Sequence, residues 1–237
     1  MRITRQPSWT ASPPLALVVS HPPMDRAELL FDLDGTLSDP IEGIWRSINY
    51  ALESIGHPTL DVEVVRNYVG PPIDQTFTRI TGLTSSSDVS TLVAKYRERY
   101  SDIGYSENVL YPEVKEALRS LSERGMPMGV CTSKRKDFAE RILELFALRS
   151  FFIFIDGGDV GIEKWQQIAA LRASSRIGTR SLMIGDRAVD LVAAHRNGLR
   201  SGAVLWGYGS SEELMSEEPE YVFRAPNEWL QLTVTSG

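Results

Sequence analysis

A single cysteine, Cys131, is all that this chain of 237 residues carries, so no internal disulfide can form. Disulfides belong to oxidising compartments, and a lone thiol fits a reducing cytoplasm. No apolar run approaches the roughly 20 residues that a membrane-spanning helix needs. Basic charge is not in excess. The net charge is -6 at pH 7, which argues against non-specific binding to nucleic acid. Histidine is scarce, and His21, His57 and His195 fit no motif. Neither an internal repeat nor a low-complexity segment divides the chain. The apolar run over residues 15–19 is too short, and too closely flanked by prolines, to be the core of a secretory signal. Residues 1–25 are therefore expected to be a poorly ordered extension.

What is present suits a globular enzyme: 42% hydrophobic and 24% charged residues. The length allows one core with a smaller lobe. The stretch over residues 29–37 is the centre of the pattern. An apolar run, Leu29-Leu30-Phe31, ends abruptly in Asp32 and Asp34, followed by Gly35 and Thr36. A short apolar run closed by a glycine turn predicts a buried strand. Both carboxylates then sit at its carboxyl edge, where open α/β sheets bind ligands. Crowded carboxylates repel one another, and a hard cation such as Mg²⁺ relieves this. Gly35 lets the backbone turn sharply and present N–H groups to an anion. A strand followed by a solvated acidic turn is the competing reading of these residues taken alone.

Residues 40–105 show helical periodicity and no strand pattern. Ile44, Ile48, Leu52 and Ile55 recur at helical spacing, a short helix is predicted over 62–68, and another leads to Ile80 after Gly70-Pro71-Pro72. Val89, Leu92, Val93, Tyr96 and Tyr100 mark a last amphipathic helix. This predicts an all-helical lobe inserted after the first strand. Strands and helices then alternate. Strands are predicted over 127–132, 151–155, 181–184, 201–205 and 221–223, with helices between them. Such alternation implies βαβ units, a parallel sheet and right-handed crossovers that bring all carboxyl ends to one edge. The predicted organisation is a Rossmann-like α/β core, 26–39 with 106–237, and a helical domain, 40–105.

Each predicted strand ends in something chemical: Asp32 and Asp34, then Thr132-Ser133-Lys134, then a glycine-rich loop leading to Lys164, then Gly185-Asp186 with Asp190 a turn later. Singly, Thr132 and Asp186 read as helix caps, and Lys164 and Asp190 as solvated helix residues. Convergence of all four groups on one edge is the stronger reading. Cys131 reads as a buried strand residue.

In this order the motifs resemble those of the haloacid dehalogenase-like superfamily, over roughly the whole chain after Met24. The helical insertion is similar to the cap of its subfamily I. Asn67-Tyr68-Val69-Gly70-Pro71-Pro72 and Leu205-Trp206-Gly207-Tyr208-Gly209 look like the phosphoglycolate-phosphatase branch. The resemblance implies a phosphomonoester hydrolase. Asp32 is then the nucleophile that forms an aspartyl-phosphate, and Asp34 the general acid and base. Mg²⁺ is held by Asp32, the Asp34 carbonyl, Asp186 and, through water, Asp190. Thr132 and Lys164 hold phosphoryl oxygens, Gly35 and Thr36 offer N–H groups, and Ser133 and Lys134 adjoin the phosphate. The third motif often carries proline after its lysine, and Glu163-Lys164-Trp165 has none, so Lys134 stands as the competing phosphate-holding lysine. The expected partner is a small phosphorylated metabolite, phosphoglycolate first and nucleoside monophosphates second. A phosphomutase or sugar-phosphate phosphatase is the alternative within the superfamily, and a phospho-Asp signalling module the remote one. No membrane or nucleic-acid partner is expected, and the chain should be a monomer or homodimer.

Overall fold

A computed structural model describes residues 27–232; the expected extension over 1–25 lies outside them. Six strands form one parallel sheet in the order β5-β4-β1-β6-β7-β8. They are β1 (Leu29–Phe31), β4 (Met128–Arg135), β5 (Phe154–Gly158), β6 (Leu182–Gly185), β7 (Arg200–Val204) and β8 (Tyr221–Phe223). This is the α/β core that the alternating pattern predicted. The central strand is buried on both faces, as a parallel sheet covered by helices requires. Side chains alternate between the two layers. Leu29 and Phe31 join one cluster with Met128, Val130, Leu182 and Ile184. Leu30 joins another with Cys131 and Met183. The fully buried Trp229 packs on Phe31 with ring centroids 4.8 Å apart.

Register aligns the strand ends. Phe31 pairs with Val130 on one side and Ile184 on the other. The ladder continues one residue further, where Asp32 N–H donates to the Ile184 carbonyl at 2.9 Å. Asp32 therefore leaves the sheet between the tips of β4 and β6.

The helices α1 (Ile41–Glu53), α2 (Val62–Arg66), α3 (Ile73–Thr81) and α4 (Ser86–Asp102) follow the first strand. They share an apolar cluster of their own, built on Ile48, Leu52, Phe77, Leu92 and Tyr100, to which the core adds Phe138. A two-stranded antiparallel ribbon frames this insertion: β2 (Ser38–Asp39) pairs with β3 (Val109–Leu110). Strands of two residues leave no period to read, and the sequence pattern gave no sign of them.

The remaining helices are α5 (Val114–Glu123), α6 (Lys136–Leu145), α7 (Lys164–Ala173), α8 (Ala188–Arg196) and α9 (Ser211–Met215). Three details depart from the sequence reading. The strand predicted over 151–155 begins at Phe154, because residues 149–151 form a 3₁₀ turn. Phe154 pairs with Gly129, and its ring fills the space that a Cβ on Gly129 would need, 2.4 Å away. The helix expected from Ile162 begins at Lys164, capped by Glu163. The short helix α9 was not predicted; Ser210 caps it by accepting from Glu213 N–H at 3.0 Å.

Candidate active site

Backbone first, the turn after β1 brings Asp32, Asp34 and Gly35 to the sheet edge. Gly35 has φ +86°, a conformation that side chains rarely adopt. A Cβ there would also lie 2.1 Å from Asp186 Oδ2. Opposite, a Cβ on Gly207 would lie 2.3 Å from the Asp186 Cβ. Asp186 is thus wedged between two glycines. Its Oδ1 accepts from Thr36 Oγ1 at 3.2 Å, and its Oδ2 from Tyr208 N–H at 2.8 Å. The Trp206-Gly207-Tyr208-Gly209 loop carries that donor, and Trp206 Nε1 donates to the Thr36 carbonyl at 3.1 Å.

Asp190 stands on the first turn of α8, where Arg187 N–H donates to its Oδ2 at 3.1 Å. Asp32, Asp186 and Asp190 are all buried, and each offers an oxygen within 4.8 Å of the others. Burial, with the neighbouring acids, drives Asp186 well above the usual carboxylate range. Asp190 is pushed up to about 6 by burial, against the pull of Lys164. Lys164 is the cation placed among them. Its ammonium lies 3.0 Å from Asp32 Oδ1 and also bonds Asp190. Burial disfavours the charged lysine, but Asp190 and Asp32 outweigh it and raise its pKa.

Across the site, Asp34 is 2.8 Å from Lys134 Nζ through its Oδ2, and its Oδ1 has no hydrogen-bond partner among the described residues. Burial raises its pKa and Lys134 only partly offsets this. Thr132 is buried, with its Oγ1 accepting from Lys134 N–H at 3.3 Å and its carbonyl accepting from Gln167 Nε2 at 3.1 Å. Ser133 lines two cavities that meet at the Pro71-Pro72 loop, one of about 90 Å³ beside Asp34 and one of about 300 Å³ beside Lys164.

The sequence-predicted side chains therefore gather at one edge, with the two lysines paired to different acids; the Gly35 and Thr36 N–H groups expected to face phosphate instead donate within the turn, to the Ser38 carbonyl at 2.8 Å and the Leu33 carbonyl at 3.3 Å. Lys164 sits with Asp32 and Asp190, and Lys134 with Asp34. The carboxylate of Asp34 stands outside the group of three acids. Sequence reasoning missed Tyr100, whose hydroxyl accepts from Lys134 Nζ at 2.7 Å. It also passed over Arg187. Arg187 pairs with Glu213 Oε1 at 2.9 Å and bonds the Val69 carbonyl, so it ties the core to the insertion. Cys131 is a buried strand residue whose thiol is pushed far up by burial, as expected.

The donor set suits a metal. Three buried carboxylates come together, two of them paired with the Lys164 ammonium, and every donor among the acids is oxygen. Hard divalent cations such as Mg²⁺ take such ligands. The fit also explains Gly35 and Gly207, since any side chain there would displace Asp186.

Residues 29–204 match the family of haloacid dehalogenase-like hydrolases. The chain belongs to that family. It is 37% identical over 197 residues to a 5'-nucleotidase of Pseudomonas aeruginosa, covering 81% of this chain and 89% of the relative. It is 33% identical over 220 residues to a phosphoglycolate phosphatase of Vibrio parahaemolyticus, covering 88% and 96%. Among solved structures, a haloacid dehalogenase-like family hydrolase of Streptococcus pneumoniae superimposes with a TM-score of 0.79 at 28% identity, covering 87% of this chain and 98% of the other.

Proposed function

We propose that the protein is a Mg²⁺-dependent phosphomonoester hydrolase acting on a small phosphorylated metabolite. The observation that carries this reading is the contrast between two carboxylates two residues apart. Asp32 lies with Lys164 in the group of buried acids, whereas Asp34 stands outside it beside Lys134, and burial raises its pKa. Paired carboxylates in such unlike surroundings take a nucleophile's part and an acid's part.

The Asp32 carboxylate attacks phosphorus, and the bond between phosphorus and the ester oxygen breaks. Asp34 gives its proton to the departing alkoxide, which leaves as an alcohol. Asp34, now ionised, takes a proton from water as that water attacks the phosphorus of the aspartyl-phosphate. The acyl-phosphate bond breaks, inorganic phosphate leaves and Asp32 is restored. Lys164 holds Asp32 in place and, with Thr132, faces the phosphoryl oxygens. Asp32, Asp186 and Asp190, with the Asp34 carbonyl, would hold Mg²⁺, which when bound neutralises negative charge around the phosphoryl group.

The insertion over 40–105 acts as a cap over this edge. Its contacts with the core include Arg187 to Val69, Lys134 to Tyr100, Arg97 to Asp159 at 3.0 Å and Arg99 to Glu107 at 2.8 Å. Among the described residues no helix is long and apolar enough to cross a membrane, and the lone cysteine fits a cytoplasmic protein. Relatives named as phosphoglycolate phosphatase and 5'-nucleotidase support the phosphatase reading and set the first substrates to try. The test is phosphate release from such esters with Mg²⁺, together with acid-quench trapping of phosphate on the peptide containing Asp32. Turnover without any phosphopeptide, under conditions that preserve acyl phosphates, overturns the covalent route.

A further inference from the structure

Pro71 and Pro72 wall both cavities at the site, so the turn over residues 69–72 shapes whatever space a leaving group can enter. Two consecutive prolines offer no N–H groups, which leaves this turn few ways to grip the core. Among the described residues a single hydrogen bond joins residues 66–75 to the core, from Arg187 Nη1 to the Val69 carbonyl. The turn fits closely around that arginine. Gly70 has φ +115°, and a Cβ there would lie 3.1 Å from the Arg187 Cγ.

Arg187 is itself held in place from α9. Its Nε donates to Glu213 Oε1 at 2.9 Å, and the same oxygen accepts from Ala188 N–H at 2.9 Å. One planar guanidinium thus serves Glu213 and the cap turn at once, through two different nitrogens. Both side chains are partly exposed, so the pair adds little to stability. Its consequence is positional. Neither Arg187 nor Glu213 lines either cavity, so both act on a ligand only through the turn.

We infer that Arg187, oriented by Glu213, is a positioning residue that fixes the turn over residues 69–72 and with it the wall that a bulky leaving group meets. This rests on the phosphatase reading above. The test uses the full-length protein with Mg²⁺ and two esters whose leaving groups need little protonation but differ in bulk, p-nitrophenyl phosphate and acetyl phosphate. Arg187→Met keeps an apolar stem against Gly70 and removes the guanidinium. Glu213→Ala changes no residue of the cavities or of the acid cluster. Each variant should lower the kcat/KM ratio of p-nitrophenyl phosphate to acetyl phosphate about tenfold, mainly through a raised KM for the bulky ester. The double variant should lose no more than Arg187→Met alone, because Glu213 acts through Arg187. Amide exchange at Tyr68, Val69 and Thr76, whose N–H groups bond within the insertion, should quicken about tenfold while that of β1 keeps the parent rate. A ratio that is unchanged or raised, additive losses in the double variant, or unaltered exchange at those three amides overturns the assignment. Phosphate release from neither ester by the parent protein overturns the phosphatase reading itself.

Discussion

The ammonium of Lys164 lies 3.0 Å from Asp32 Oδ1, at the point where β1 leaves the sheet. Lys164 is the first residue of α7 and is 2% exposed, so a full positive charge has been carried into the core beside buried acids. Removing one partner of a buried ion pair leaves the other uncompensated, at a cost of about 3 kcal/mol or more. Lys164→Met should therefore lower the metal-free unfolding free energy by about 3 kcal/mol, measured by urea titration at pH 7. It should also abolish detectable phosphate release. A variant as stable as the parent would show that the acids do not depend on this lysine.

Loss of the nucleophile and loss of the acid should look different. Asp32→Asn should reduce turnover by roughly 10³-fold or more, with the circular dichroism spectrum unchanged. Asp34→Asn should reduce kcat/KM by about 10²–10⁴-fold on esters of poor leaving groups, and by much less on p-nitrophenyl phosphate, whose phenolate needs little protonation. Equal losses of kcat/KM on both kinds of ester would remove Asp34 from protonating the leaving group.

Chelation should abolish activity, and added magnesium should restore it. Binding can also be read without turnover. Magnesium at a hundredfold excess over Kd should stabilise the protein by about 2.7 kcal/mol, seen as a rise in Tm. Asp186→Asn should remove that rise. Full activity after exhaustive chelation would rule out a metal requirement.

Gly35→Ala tests the cradle around Asp186. The new Cβ meets the Asp186 carboxylate at 2.1 Å and sits on a backbone at φ +86°. The two effects together should cost about 2–4 kcal/mol in stability. Magnesium stabilisation should fall with it. Gly56→Ala, at φ +70° but with open space around the new Cβ, should cost only about 1 kcal/mol from the backbone and leave the metal response intact.

Much of the site was legible because sheet physics puts strand ends together. Phe31 and Ile184 are apolar residues in register, and the acids that follow them must meet whatever the intervening chain does. Lys164 was legible as a candidate but not as a buried one. A lysine at a helix start looks the same in sequence whether it faces water or two buried carboxylates. Tyr96 and Tyr100 were read as one face of an amphipathic helix, since periodicity reports burial and not the partner of a hydroxyl. The start of β5 was misplaced because Phe151, Phe152 and Phe154 are alike in hydropathy. What separates them is the missing Cβ at Gly129, a contact across strands far apart in sequence.

The ribbon of β2 and β3 has a consequence for how such a molecule can be rebuilt. Ser38 faces Leu110 and Asp39 faces Val109, so the chain departs from the core and returns to it side by side. Paired strands lie about 5 Å apart. The chain between them is therefore joined covalently to the core at one place, and a foreign helical segment with adjacent ends is expected to be accepted there, with the sheet's near-ultraviolet and far-ultraviolet circular dichroism retained. The graft must bring its own apolar surface for Phe138 and its own hydroxyl for Lys134. Selectivity can then be exchanged while the hydrolytic edge stays as it is.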